Sequence, residues 1–528
     1  MPAAAVPVSR RTPAAQPGRG ILLFIILVVT SISALLLLFG DPIVAAVPLL
    51  LVGAVYLFTS LPLRVPLYGL VFCAAVSDSL PIELPGGTLW EPPLYPLYSL
   101  LFENLNKVVP IEALRFSGVD LLYVLSLLLL GTRALLRIRV DRMGRLPVTS
   151  ALYVVAALAF VGVVWLEVWG VGVRGGDFRQ SLWQIRQLLW LPTVTVLFAL
   201  TLRGVRDFDH VLNLIMAASC LKLISVVWFY ITVARPLAFE PATLTSHYDS
   251  ILFTISIATL ISRYVHTTHW KYLVLLGTVG VWIMLGVVLN NRRLCFVNIA
   301  VSVFMIFIML RGPMKRVLTR LAVYSLPFAF VYLSVGQVAN GKIFKPAKLV
   351  TSVVKQDDRS SSTRDVENYN LLVTLKQSKL LGSGWGHEYV EEVVGDDISL
   401  AYPQYRYMAH NGVLWLWTIG GLTGFTLLWM PISIGIFLAR RAYLFARSPA
   451  ERSAAALSIC MIVTYMLQAW GDIGTQHLNS TLTLAVALAM AAKLAVSTGA
   501  VPRRYRFFGT RREHPSVAAT ASWVGGVQ

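Results

Sequence analysis

The sequence predicts an all-α fold, a polytopic transmembrane helical bundle of about 14 spans (12–14) with a large outer loop containing short helices. Three observations predict it. The 528 residues are 56% hydrophobic and only 13% charged, with a mean hydropathy of +0.69. A soluble domain holds about half apolar residues and about a quarter charged ones. The apolar residues are gathered into runs near the length a bilayer demands, about 20 residues each. The arginines cluster in alternate connectors between those runs, as the bias of basic loops toward the cytoplasm requires.

In chain order, "MPAAAVPVSRRTPAAQPGRG" is basic and rich in Pro and Ala, and residues 1–20 are expected to be disordered. The next run, 21–39, is long for a signal-peptide core and has no A-x-A site after it, so it is expected to be an uncleaved first span. Further spans are expected at 41–60, 65–80, 117–135, 147–170, 182–202, 209–234, 248–265, 270–290, 293–311, 319–338, 413–439, 453–470 and 479–498. With the N-terminus inside, the inner connectors include "RALLRIRVDRMGR", "RGPMKRVLTR" and "ARRAYLFARSPAER". The outer connectors, 81–116, 171–181, 235–247, 339–412 and 471–478, hold most of the Asp and Glu.

The expected organisation is a cytoplasmic N-terminus (1–20), an N-terminal transmembrane region (21–338), a large outer loop (339–412), a C-terminal transmembrane region (413–498) and a cytoplasmic tail (499–528). The net charge of +19 raises the question of nucleic acid. The placement of arginines between apolar runs points to the lipid bilayer instead, and no nucleic-acid partner is expected. Cys73, Cys220, Cys295 and Cys460 sit in or beside apolar runs without a C-x-x-C pair and are expected to pack.

The 339–412 loop carries the polar motifs. "SSSTRDVENYNLLVTLKQSKLLGSGWG" predicts a short helix started by Ser362 and Asp365, with Val366, Tyr369, Leu372 and Val373 on one face and Gly382 beyond its end. An acidic piece, "EYVEEVVGDD", follows. Glu391, Glu392, Asp396 and Asp397 are expected there as a solvated face. The loop closes on "AHNGVLWLWTIGGLTGF", where His410 and Asn411 stand at the start of an apolar helix and Gly420, Gly421 and Gly424 permit close helix approach.

Together these elements resemble the O-antigen polymerase and O-antigen ligase superfamily of membrane glycosyltransferases. The arginine-bearing helix, the "LLGSGWG" turn and the "HNG" helix start follow one another in that family's order. "GGDFRQSLWQIRQLLWLP" and "LNNRRLCFV" are similar to its upstream arginine segments. The resemblance covers roughly residues 150–490.

It implies transfer of a glycan from an undecaprenyl diphosphate carrier to an acceptor hydroxyl at the outer face of the bacterial inner membrane, with no cofactor or metal, while the alternation of arginine-rich connectors predicts that both termini are cytoplasmic. Such chemistry needs a cationic clamp for the departing diphosphate and a base for the acceptor proton. His410 is the candidate base. Arg179, Arg186, Arg292, Arg293 and Arg364 are the candidate diphosphate ligands, and Arg174, Arg359, His247 and Asn411 are further candidates. Each has a plain alternative. An outer arginine anchors to lipid phosphate, Arg292-Arg293 forms an ordinary turn between spans, and a histidine at a helix start serves as a cap.

The favoured function is a polysaccharide polymerase joining lipid-linked repeat units. A ligase passing the glycan to a lipid or protein acceptor is the alternative, and a lipid-linked saccharide flippase is the rival from another class. Expected partners are the lipid-linked glycan, an acceptor glycan and the bilayer, with a flippase and a chain-length regulator as further partners. No H-E-x-x-H, Walker A loop or D-x-D stands out, which weakens the metalloprotease, ATPase and nucleotide-sugar transferase readings.

Overall fold

The computed structural model describes residues 18–39, 48–49, 52–53, 56, 60–77, 82–83, 89–107, 116–136, 145–236, 244–339, 344, 347–348, 359–395, 404–472 and 474–504. The described chain is helical apart from one two-residue antiparallel pairing, Ile82–Glu83 with Leu89–Trp90, and an isolated bridge between Asn104 and Ser117. In order the helices are α1 (Gly18–Phe39), α2 (Arg64–Val76), α3 (Tyr95–Phe102), α4 (Gly118–Leu135), α5 (Ser150–Val173), α6 (Phe178–Thr201), α7 (Val205–Ala234), α8 (Asp249–Thr267) and α9 (Trp270–Asn290). They continue as α10 (Arg293–Met309), α11 (Pro313–Val338), α12 (Arg359–Gln377), α13 (Gly412–Phe445), α14 (Pro449–Gly471) and α15 (Leu478–Ser497).

Every expected run coincides with a helix except 41–60, which lies largely outside the described residues. Among the described residues eight helices, α4, α5, α7, α9, α11, α13, α14 and α15, are long and apolar enough to cross a membrane. α2 and α10 have 13 and 17 residues. At 1.5 Å per residue they extend roughly 20 and 25 Å, short of a hydrocarbon core about 30 Å thick.

Helix starts follow local chemistry. Ser117 with Asp120 and Ser448 with Glu451 form reciprocal capping boxes for α4 and α14. Asp177 caps α6 by accepting from the N–H groups of Arg179 and Gln180.

The chain divides into two units, 1–144 with 209–257 and 274–297, and 145–208 with 258–273 and 298–528. In the first, Leu223, Val226, Phe229, Ala234 and Leu244 form an apolar cluster. Beside it lie a buried Lys222–Asp249 ion pair and Asn290, which donates to Ser246 O and Ser250 Oγ.

In the second unit α15 is buried almost all round by α6, α13 and α14. Its alanines at 485, 487, 489, 491 and 492 are fully buried, as suits helices packed without large side chains between them. Side-chain hydrogen bonds join α10 to α14, with Asn298 donating to Gln468 and Ser302 meeting Thr464. α11 behaves oppositely. Only Gly336 is buried along its 26 residues.

Candidate functional site

The centre of the candidate site is a His–Glu pair between the end of the outer loop and α12, in the second unit. The His410 backbone N–H donates to Glu367 Oε2 at 3.0 Å. The His410 ring places Nδ1 3.2 and 3.3 Å from the two carboxylate oxygens. Glu367 is buried, with its side chain 8% exposed, whereas the His410 side chain is 31% exposed. A carboxylate accepts only, so Nδ1 carries the hydrogen. That leaves Nε2 as the acceptor in the neutral ring. Among the described residues Nε2 makes no hydrogen bond.

The pairing with Glu367 raises the His410 pKa above the usual histidine value. Burial and the charge of Arg364 oppose the rise, and Glu367 and Asp472 add to it by charge. Arg364 and Glu367 are three apart on α12, so they share a face. Asn411, not His410, is the helix cap. Its Oδ1 accepts from Leu414 N at 3.1 Å while its Nδ2 donates to Asn368 Oδ1 at 3.1 Å.

The buried face of α12 differs from the expected one. Glu367, Asn370, Leu371, Thr374 and Leu375 are buried, and Tyr369 and Leu372 are about half exposed. The helix also begins at Arg359, three residues before Ser362. Polar residues win the inner face because each meets a defined partner there. Besides Glu367, Asn370 donates to Val393 O and accepts from the N–H groups of Glu392 and Val393. Thr374 accepts from Val390 N.

The acidic piece is more than a solvated face. Glu391 pairs with Arg406 at 3.2 Å and accepts from the Tyr405 hydroxyl at 3.1 Å. Asp396 and Asp397 lie outside the described residues.

The Gly-x-Gly-x-Gly turn is the structural base of the site. Gly382, Gly384 and Gly386 all have φ between +71° and +79°, a region open to glycine. A Cβ on Gly382 would strike the Ile419 carbonyl and one on Gly384 would strike the backbone of Gly170. Between them Trp385 is fully buried, and its indole N–H donates to Val163 O at 3.0 Å.

α13 bends at Gly421, where φ is 56° and ψ is −164°. The bend frees the N–H groups of Leu422 and Thr423 to donate to Lys379 O and Leu380 O. Gly424 lets Leu166 of α5 approach, since an added Cβ would meet it at 2.9 Å. Gln184 on α6 completes the frame. It donates to Tyr407 O and accepts from Gly386 N, both at 2.6 Å.

Of the arginines, Arg364 acts on His410 directly through charge. Arg174 donates to Gly382 O at 3.3 Å and so braces the glycine turn. Arg179 stands exposed in the first turn of α6 and Arg186 is partly buried two turns on. Arg359 opens α12, and its side chain lies outside the described residues. Arg292, Arg293 and His247 belong to the first unit. Asn291 turns the chain there in the left-handed region at φ 55°, and the Arg292 guanidinium is hydrogen-bonded to His247 Nε2.

Glu367, Gln184 and Asp472 are absent from the sequence-based candidates. Glu367 carried a usable signal, an acidic residue one turn after Arg364 in a loop helix.

The comparisons with known proteins agree with the motifs. A search of curated proteins finds no match. Residues 278–429 match the family model described as O-antigen ligase. The matched segment holds Arg292, Arg293, Arg364, Glu367, the glycine turn, His410 and the Gly421 bend, and it stops short of the 175–192 arginine segment upstream. The chain is thus a polytopic membrane protein in which residues 278–429 match the O-antigen ligase family model, in keeping with the O-antigen polymerase and ligase superfamily.

Proposed function

We propose that this protein is a glycosyltransferase of the outer face of a bacterial inner membrane, with both termini in the cytoplasm. It joins undecaprenyl diphosphate-linked repeat units into polysaccharide, without nucleotide or metal. The single observation that carries the reading is the His410–Glu367 pair. It has the geometry of a base held by its Nδ1 with Nε2 left to work.

In the proposed step an acceptor hydroxyl oxygen attacks the anomeric carbon of the donor sugar. The bond from that carbon to the diphosphate oxygen breaks, and the diphosphate leaves with the electron pair. His410 Nε2 takes the hydroxyl proton, and the buried Glu367 carboxylate stabilises the imidazolium that results. Arg364, with Arg179 and Arg186 of the same unit, supplies positive charge for the departing diphosphate. Guanidinium suits that task because it is always charged and forks onto phosphate oxygens. Arg292 and Arg293 are proposed phosphate ligands of the first unit, to be tested separately.

The description of the matched family as O-antigen ligase favours a second reading, transfer to a different lipid or protein acceptor. One assay separates the two. Purified protein is given the lipid-linked oligosaccharide alone, without nucleotide, and products are resolved by gel. A polymerase makes a ladder from the donor alone. A ligase makes product only when a second acceptor is added. No product under either condition would overturn both.

A further inference from the structure

In the first unit the turn between α9 and α10 is tied to residues 246–250 by side chains that all donate in one direction. Asn290, buried at the end of α9, donates to Ser246 O at 3.5 Å and to Ser250 Oγ at 3.3 Å. Cys295 on α10, also buried, donates to Ser250 O at 3.8 Å. Between them Asn291 turns the chain, and Arg292 Nη2 is hydrogen-bonded to His247 Nε2. The same segment is held from another side, where the buried Asp249 pairs with the buried Lys222 of α7. Residues 246–250 are therefore gripped from α7, α9 and α10, and His247 lies within that grip.

A guanidinium donates only, so His247 Nε2 is the acceptor and carries no hydrogen. The ring that holds Arg292 is then neutral, with its hydrogen on Nδ1. A neutral imidazole sets the direction of a guanidinium without taking up its charge, as a carboxylate would. Arg292 and His247 are only partly buried, unlike Asn290, Cys295, Asp249 and Lys222. A long side chain also has rotamer freedom that binding must remove, and a partner that orients it beforehand lowers that cost.

We propose that His247 is a positioning residue, which orients Arg292 for the diphosphate of a lipid-linked donor. The Lys222–Asp249 pair and Asn290 fix the segment that carries it. The inference rests on the reading of Arg292 as a diphosphate ligand. His247 acts on donor affinity through Arg292, and the acceptor proton is left to His410.

The test measures binding of geranylgeranyl diphosphate by the full chain in detergent, with geranylgeraniol, which lacks the diphosphate, as the control. His247→Leu removes the acceptor, and affinity for the diphosphate is expected to fall about tenfold through loss of a bond to a charged group. His247→Gln places an amide oxygen near the position of Nε2 and is expected to stay within about threefold of wild type. In the Arg292→Gln background, His247→Leu should change affinity by less than about twofold, because the two side chains act as one unit. A merely structural histidine would give the same loss in both backgrounds and would gain nothing from Gln. If His247→Leu does not fold, His247→Asn, whose oxygen falls short of the Nε2 position, takes its place in the comparison with His247→Gln. Wild-type affinity in the variant, or equal losses in both backgrounds, would overturn the role of His247 and leave the clamp standing. A wild type that binds the alcohol as tightly as the diphosphate would overturn the clamp, and this inference with it.

Discussion

Replacing Glu367 by Gln keeps the size of the side chain and removes its charge. In the wild type the carboxylate accepts from the His410 backbone N–H and from ring Nδ1, and it is buried. An amide oxygen can still accept, so the ring keeps its place, but the bond to the imidazolium formed during reaction becomes neutral. A hydrogen bond to a charged group contributes about 1.5–3 kcal/mol and a neutral one about 0.5–1.5. The difference of about 1–2 kcal/mol corresponds to a fall in turnover of roughly 5–30-fold.

The pH profile gives an independent sign. Pairing with Glu367 is the largest cause of the raised His410 pKa. A raised pKa keeps the ring protonated, and so useless as a base, to higher pH. Glu367→Gln should therefore move the acidic limb of turnover to lower pH while lowering the plateau. The assay is single turnover of a saturating lipid-linked donor across pH in detergent. A limb that does not move, with turnover within about twofold of wild type, would refute the pairing as a catalytic device.

Arg364→Lys keeps the charge but loses the planar fork, so turnover should fall with protein level unchanged, and normal polymer yield from this variant would remove Arg364 from the clamp. Gly384→Ala places a Cβ at φ +79° against the backbone of Gly170, so it should abolish monodisperse protein by size exclusion, and a well-folded variant would show that the turn is not rigid. Trp385→Ala should cost about 3–5 kcal/mol of stability, read as a lowered Tm. A cysteine in place of Val394, which is 82% exposed, should react with an impermeant reagent in intact cells, and labelling only after lysis would invert the proposed orientation.

The helical plan was legible because membrane spans announce themselves by length and by the absence of charge. The site was legible only where glycine or a helix start marked it. "GSGWG" and "HNG" pointed to the right segments, but the roles within them depend on contacts across the chain. Asn411 and His410 are neighbours, yet one caps a helix and the other meets Glu367. That division depends on α12 lying alongside the start of α13.

α12 itself misled the reading of periodicity. Its apolar Tyr369 and Leu372 face outward, while Glu367 and Asn370 face inward. A hydrophobic-face rule cannot foresee polar side chains buried because the backbone and a histidine need them. Arg174 teaches the same lesson in reverse, since a charge chosen for phosphate chemistry is seen bracing a carbonyl.

The central claim, that His410 is the base, is tested most directly by the pH dependence of turnover in wild type and His410→Gln at matched donor saturation. Turnover of the variant is expected to fall about 10²–10⁴-fold with the acidic limb abolished, while the variant still inserts and binds the lipid-linked donor. Near-normal turnover with an unchanged acidic limb would contradict it. His410 would then be a structural residue, and the base would have to be sought elsewhere, with His247 next.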